Sequence, residues 1–188
     1  MSIVADSEFN QYLVLAGLTV GSTDRSLLLN SAEAAVESLC RRRFSLQSCG
    51  ETIEIKPHET ARYSIKTKSY PIIASSLILT DTSTLVPNTS LIIEESTGVI
   101  KLRNDGSYFN TGRDAVLITY QAGFTEANAP KDLTRLICST GILLWSHPEG
   151  AAQSEKIGDY SYKLSNTQIE QGLDAINMNV LNKYRKLF

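Results

Sequence analysis

The stretch from Asp114 to His147 leaves little freedom of fold. Residues 115–120, Ala-Val-Leu-Ile-Thr-Tyr, are short, apolar and rich in β-formers, the pattern of a buried strand. Gly123 closes that strand, and a polar loop runs from Thr125 to Ala129. Pro130 then stands where a helix would begin, because its missing N–H would be unpaired in a first turn anyway. Leu133, Leu136, Ile137, Thr140 and Leu144 follow at spacings of three and four, which places them on one helical face. A core strand thus hands over to a core helix. Gly141 interrupts that helix, at a cost of about 1 kcal/mol against alanine.

Helical patterns lie on both sides of a β-rich block. Residues 8–16 put Phe9, Tyr12, Leu13 and Ala16 on one face, and Gly17 and Gly21 stop the helix early. Thr23 or Asp24 is a suitable N-cap for a second helix that runs to about Arg43. Its stripe is Leu28, Ala32, Ala35, Val36, Leu39 and Cys40. Within 50–125, the segments Glu51–Ile55, Ala61–Thr67, Ser75–Thr80, Ser90–Glu95, Val99–Arg103 and Ala115–Tyr120 read as strands. Turn chemistries separate them: Pro57-His58, Tyr70-Pro71, Pro87-Asn88, Thr97-Gly98 and Asn104-Asp105-Gly106. Ser96-Thr97-Gly98 has the composition of a hairpin loop. Pro148-Glu149-Gly150 ends the Pro130 helix, and residues 157–164 alternate as a strand or extended loop. Ser165 or Asn166 then caps a last helix carrying Ile169, Leu173, Ile176, Val180, Tyr184 and Leu187.

Segregation of strands from helices predicts an α+β fold, a bundle of about four helices with an inserted small antiparallel β subdomain. The expected domains are a discontinuous helical core, 1–49 and 126–188, and a β insertion, 50–125. At 188 residues, the chain is long enough to bury a core unaided.

The formal net charge of −2 argues against a general nucleic-acid coating protein, whose surface is strongly basic. Cys40, Cys49 and Cys138 make an odd count with no CxxC, and no signal peptide is recognisable. That combination predicts reduced thiols in a cytosolic setting. No segment reaches the roughly 18 apolar residues that span a bilayer.

Catalytic patterns are missing from the sequence. His58 and His147 are its only histidines, and with the three cysteines they offer no metal-ligand spacing. Neither a phosphate-cradling glycine loop nor a GxSxG elbow occurs. Glu94 and Glu95 are adjacent on a predicted strand, so they point to opposite faces and guard an edge. No catalytic, cofactor or metal residue is therefore assigned.

Two features admit two readings each. Arg41, Arg42 and Arg43 suit the C-terminal end of a helix, where the dipole favours cations. There Arg43 would lay its stem beside Leu39 and Cys40. They also suit a subunit interface or a position near DNA. Successive helical residues turn about 100°, so the three do not form one flat basic patch. The chain ends Tyr184-Arg185-Lys186-Leu187-Phe188, an apolar finish where most termini are polar. It either docks on the protein's own core or inserts into a partner.

Four stretches, in order, resemble the head–tail connector (adaptor) proteins of tailed bacteriophages, the type with a β insertion between helices. The first is the Asp24–Phe44 helix, opening Asp24-Arg25-Ser26-Leu27-Leu28 and closing Cys40-Arg41-Arg42-Arg43-Phe44. The second is Tyr70-Pro71-Ile72 leading into Ser76-Leu77-Ile78-Leu79. The third is Ile118-Thr119-Tyr120-Gln121-Ala122-Gly123-Phe124, followed by Pro130-Lys131-Asp132-Leu133. The fourth is Ile157-Gly158-Asp159-Tyr160-Ser161-Tyr162.

The resemblance implies a non-enzymatic virion protein, made in the host cytoplasm and sited at the neck between capsid and tail. It implies a homo-oligomeric ring, commonly of twelve copies, that docks on the portal. Such a ring extends the channel for double-stranded DNA during packaging and ejection and gives the tail, or a tail-terminator or completion protein, an attachment surface. No membrane and no cofactor are implied. In this family the chain end can insert between portal subunits, and the matching positions are Tyr184, Arg185, Lys186, Leu187 and Phe188. A near-neutral protein suits a channel that passes DNA without gripping it, since each phosphate contact adds binding strength. The alternatives are another phage neck or tail-completion protein or, from a different class, a small intracellular enzyme or ligand-binding domain. A deep polar pocket in a monomer would favour the last.

Overall fold

The computed structural model describes residues 2–57, 63–104, 107–146, 156–157, 160–161 and 172–185. The chain divides into two compact units, Met1–Phe44 with Thr125–Phe188, and Ser45–Phe124. Together they make an α+β fold with four α-helices among the described residues.

The first unit is built on the helix that follows Pro130, α3 (Lys131–Ser146). Leu133, Leu136, Ile137, Thr140 and Leu144 are all buried, as their spacing predicts. Gly141 has a packing reason. A Cβ there would stand 2.7 Å from Cζ of Phe9, so only glycine lets that buried ring lie against the helix. Phe9 and Leu13 are the buried face of α1 (Asp6–Leu15).

The second helix, α2 (Ser22–Cys40), packs on α3 and buries Leu29, Ala32, Ala35, Val36, Leu39 and Cys40. It departs from expectation at both ends and at one stripe position. Gly21, not Thr23 or Asp24, is the N-cap, and the helix stops three residues before Arg43. Leu29 is buried where Leu28 was expected, since either residue lies one turn before Ala32.

The last helix, α4 (Ala175–Tyr184), is capped by Asp174, whose side chain accepts a 2.7 Å bond from the Asn177 N–H. Its buried positions are Asn177, Leu181 and Tyr184. Ile176 is exposed and Val180 half-buried, so the stripe is rotated from the expected one. The polar Asn177 on the inner face conceals the true phase. Residues 156–157 and 160–161 form a two-stranded antiparallel pair, β8 (Lys156–Ile157) with β9 (Tyr160–Ser161). The expected cap at Ser165 or Asn166, the position of Ile169, the turn at 148–150 and both histidines fall outside the described residues.

The second unit holds two antiparallel sheets. Strands β1 (Gln47–Ile55), β3 (Ile78–Asp81), β4 (Thr84–Val86) and β7 (Gly112–Ala122) form one, in the order β1-β7-β3-β4. Strands β2 (Ser64–Lys66), β5 (Leu91–Glu94) and β6 (Val99–Leu102) form the other, in the order β2-β6-β5. One core joins them, with Leu79, Val116 and Ile118 from the first sheet and Ile65, Leu91 and Ile100 from the second.

The expected Ser75–Thr80 strand splits into a 3-10 turn, Ala74–Ser76, and then β3. Strand β4 is new. Its hairpin turn is Thr82-Ser83, with φ of 49° and 69°, a geometry that normally selects Asn-Gly. The loop before β6 contains Ser96-Thr97-Gly98, as expected.

The second and third motifs of the resemblance meet in this unit. Ile72 bridges Ala122, the Ile73 N–H donates to the Gln121 carbonyl at 2.9 Å, and the Gly123 N–H donates to the Pro71 carbonyl at 2.9 Å. Their spelling therefore reflects one local pairing. No helix among the described residues is long and apolar enough to cross a membrane.

Candidate functional site: the C-terminal helix and the arginine run

Both features left open by the sequence lie in the first unit, and the structure brings them together. Helix α2 ends with Arg41 in the left-handed region (φ 54°, ψ 37°). The Arg41 and Arg42 N–H groups donate to the carbonyls of Ser38 and Glu37 and close the helix end. The Phe44 N–H then donates to the Glu37 carboxylate at 2.7 Å and fixes the chain's exit.

Phe44 is buried, and the Arg42 guanidinium lies 5.1 Å from its ring centroid. Arg41 and Arg43 are exposed. The three arginines are thus carried by a turn rather than by a helix, Arg42 against Phe44 and the other two exposed. Arg43 does not lay its stem into the apolar stripe, because the helix that would have carried it there has already ended.

The ring of Tyr184, from α4, meets Phe44 edge-on at a centroid distance of 5.9 Å. Its hydroxyl donates to Asp132 Oδ1 at 2.8 Å, and Lys183 Nζ donates to Asp132 Oδ2 at 2.5 Å. Asp132 sits in the first turn of α3, where a carboxylate is favoured by the helix dipole, and it also accepts the Leu133 N–H at 2.9 Å. Arg185 Nε donates to the Leu39 carbonyl at 3.3 Å, and the Cys40 thiol faces the Leu181 carbonyl at 3.8 Å. The last described turn of the chain is thereby fastened to the end of α2 and the start of α3.

The electrostatics follow this geometry. Partial burial would raise the Asp132 carboxyl, but the hydrogen bonds from Lys183, Tyr184 and the Leu133 N–H outweigh it and hold the group below its ordinary range. Burial, and then the bond to Asp132, pushes the Tyr184 phenol up to about 12. Lys183 is raised by its bond to Asp132. Burial raises the Cys40 thiol to about 11 against the pull of Arg42 and Arg185, so it is an inert packing group.

Of the predicted chain-end residues, Tyr184 is thus the buried anchor and Arg185 the half-buried residue that follows it. Lys186, Leu187 and Phe188 lie outside the described residues. Sequence reasoning missed Asp132 as their partner. The available signal was its place in Pro130-Lys131-Asp132-Leu133, but its two partners are about fifty residues away.

Among the described residues no group of three or more His, Cys, Asp or Glu side chains converges as a metal site. A depression of about 410 Å³ is lined by Ser2, Asp6, Ser22, Ser26, Asn30 and Glu126 with Val4 and Leu29. Asp6 is paired with Arg25 there. Its hydrogen bond with Arg25, at 2.5 Å, holds its carboxyl below the ordinary range. Glu94 pairs with Lys101 at 3.1 Å, and Glu95 accepts the Ala74 N–H at 3.3 Å, so the adjacent glutamates serve separate local bonds.

No protein-family model matches the chain, and no curated protein matches it. Its fold, however, is that of chains in solved particles. It is similar to a chain in the neck of an empty gene transfer agent particle computed with C6 symmetry, with a TM-score of 0.59 and 14% identity over 99% of this chain and 91% of that one. It is similar to a chain in the neck of the native particle computed with C12 symmetry, with a TM-score of 0.54 and 14% identity over 97% and 88%. A chain of the native gene transfer agent virion matches with a TM-score of 0.56 at 14% identity over 99% and 91%. The chain therefore has the fold of a particle-neck component.

Proposed function

We propose that this chain is a structural virion protein of the neck, a head–tail connector that forms a ring on the portal, lengthens the DNA channel and gives the tail its attachment surface. The observation that carries this reading is the likeness of fold, over nearly the whole chain, to neck components computed with C6 and C12 symmetry. The four stretches that resemble head–tail connectors support the same reading from sequence. A ring of twelve copies is the stoichiometry that accords with the C12 neighbour. No reaction is assigned to it. The division into a helical domain of 1–49 with 126–188 and a β subdomain of 50–125 belongs to the same proposal.

On this reading Tyr184, Arg185, Lys186, Leu187 and Phe188 form the portal-binding segment. Tyr184 is its root, held by Asp132, and the residues after it supply the basic and apolar end that enters the portal. Arg41, Arg42 and Arg43 lie at a subunit boundary or beside the DNA path.

Deleting Lys186–Phe188 leaves the Tyr184–Asp132 bond in place. The shortened chain is expected to keep its thermal transition and to lose co-sedimentation with its cognate portal. Retained portal binding would refute the assignment of this segment. Electron microscopy of the full chain on that portal is expected to show a twelve-fold ring, and a lone bound copy would refute the connector reading.

A further inference from the structure

The two sheets of the β unit present unlike outer faces. On the three-stranded sheet, the register puts Lys66 and Glu94 on either side of Val99, and Ser64 and Ile92 on either side of Lys101. Glu94 and Lys101 are paired there, as an ordinary solvated face would be. On the four-stranded sheet, Thr52, Leu117, Thr80 and Leu85 form one row across all four strands, with Thr119 opposite Ile78 beside it. Neither row carries a charge. Leu85 is 63% exposed, Ile78 56% and Leu117 48%. The exposed cluster of Ile78, Leu85 and Leu117, set among Thr52, Thr80 and Thr119 and uncharged along both rows, with exposed Glu54 next along β1, suits an interaction surface. Its electrostatic character selects an uncharged apolar occupant, because a polyanion or a charged peptide would find no counter-charge there.

The helical unit carries an exposed apolar group of matching character. Helix α1 ends in a Schellman motif, with the Leu18 N–H on the Leu13 carbonyl and the Gly17 N–H on the Val14 carbonyl, both at 2.9 Å. Gly17 takes the left-handed conformation at φ 74° that this closure requires. The motif fixes the helix tip while leaving Leu15 85% exposed and Val14 62% exposed. A rigid apolar projection loses little freedom on docking.

A ring of more than two copies needs a heterologous contact, two different patches of one chain that fit each other. Resting on the ring reading above, we propose that Val14 and Leu15 of one copy dock on the Ile78–Leu85–Leu117 face of the next copy. The sheet face is the socket and the α1 tip the plug of the subunit contact.

The test uses the full chain assembled on its portal, with Leu15→Cys and Leu117→Cys combined in a Cys49→Ser background. Mild oxidation is expected to give a ladder of covalent multimers on a non-reducing gel. Each single-cysteine variant is expected to give none above dimer. An internally linked monomer, or rings seen by microscopy without the ladder, would overturn this contact and leave the ring reading standing. Absence of rings from the wild-type chain would overturn both.

A second pair of variants guards against misfolding. Leu15→Asp and Leu117→Asp change exposed positions, so their thermal transitions should match the wild type while ring formation falls at least tenfold. Mixed together, they retain one good plug and one good socket between them and should stop at dimers. Rings formed by either variant alone would refute the proposal.

Discussion

Among the described residues, each unit has a tyrosine bonded to a carboxylate, and the two pairs are built differently. In the β unit, buried Glu51 accepts the hydroxyl of Tyr120 and, at 2.8 Å, the Lys68 N–H. The Tyr120 oxygen in turn accepts the Ser69 N–H at 3.1 Å. Burial first, and then the bond to Glu51, pushes the Tyr120 phenol far above its ordinary value. In the helical unit, Asp132 bonds Tyr184 and the well-exposed Lys183 at the open start of a helix. The first pair, itself buried, pins a loop onto a core strand. The second fastens a chain end where water replaces a lost partner. A buried donor left unpaired costs about 1–3 kcal/mol, while a solvated one costs far less. Similar chemistry therefore carries unequal energetic weight in the two units.

Removing the carboxylates should expose that inequality most strongly. Glu51→Ala strands the Tyr120 hydroxyl and the Lys68 N–H, and it should destabilise the protein by about 3 kcal/mol. Asp132→Ala leaves its donors near solvent and should cost about 1 kcal/mol. Urea denaturation of the two variants measures both, and equal costs would erase the distinction. Trimming the hydroxyls is the next step down. Tyr120→Phe leaves the Glu51 oxygen and the Ser69 N–H short of a partner and should cost about 2 kcal/mol, against roughly 1 kcal/mol or less for Tyr184→Phe. A double-mutant cycle of Glu51→Ala with Tyr120→Phe should show clear coupling, and the Asp132–Tyr184 cycle a smaller one.

The same contrast shows where sequence reading succeeds. Helix α3 is legible because its stripe repeats at spacings of three and four and is apolar but for Thr140, and each of the five predicted residues is buried. The Tyr-Pro-Ile and Thr-Tyr-x-Ala-Gly motifs were legible as strings. That Tyr120 reaches Glu51 and Ser69 was not, because those partners are 69 and 51 residues away. Strand β4 was hidden because Thr82-Ser83 occupies a turn whose φ values call for Asn or Gly. The last helix is legible only in part: Leu173 and Tyr184 are buried as expected, but within α4 the polar Asn177 and Leu181 take the inner places expected of Ile176 and Val180. At the chain end, the apolar finish was visible, but Asp132 as its fastening was not. Local periodicity is written in the chain, whereas long-range polar pairing depends on the assembled fold.

The smallest effect is the most specific, and it concerns pH. The folded Asp132 carboxyl titrates below its unfolded value of about 4, so its stabilisation is complete above that pH and drains away as the pH falls through the folded value. Asp132→Asn should flatten the acid limb of a stability-against-pH curve and leave the neutral region nearly level. Tyr184 has the opposite sign. Its phenol is raised from about 10 to about 12, so its contribution is complete below about pH 10 and is lost as the pH climbs towards 12. Lys183, raised by the same carboxylate, loses its contribution in the same direction. Tyr120 is also raised, by burial first and then by its bond to Glu51, so absorbance at alkaline pH should show Tyr184→Phe and Tyr120→Phe each removing a step that lies above the ordinary phenol value. If Tyr120 ionised at the ordinary phenol value, water would have to reach the β-unit pair freely, and the two clusters could no longer be ranked by their access to solvent.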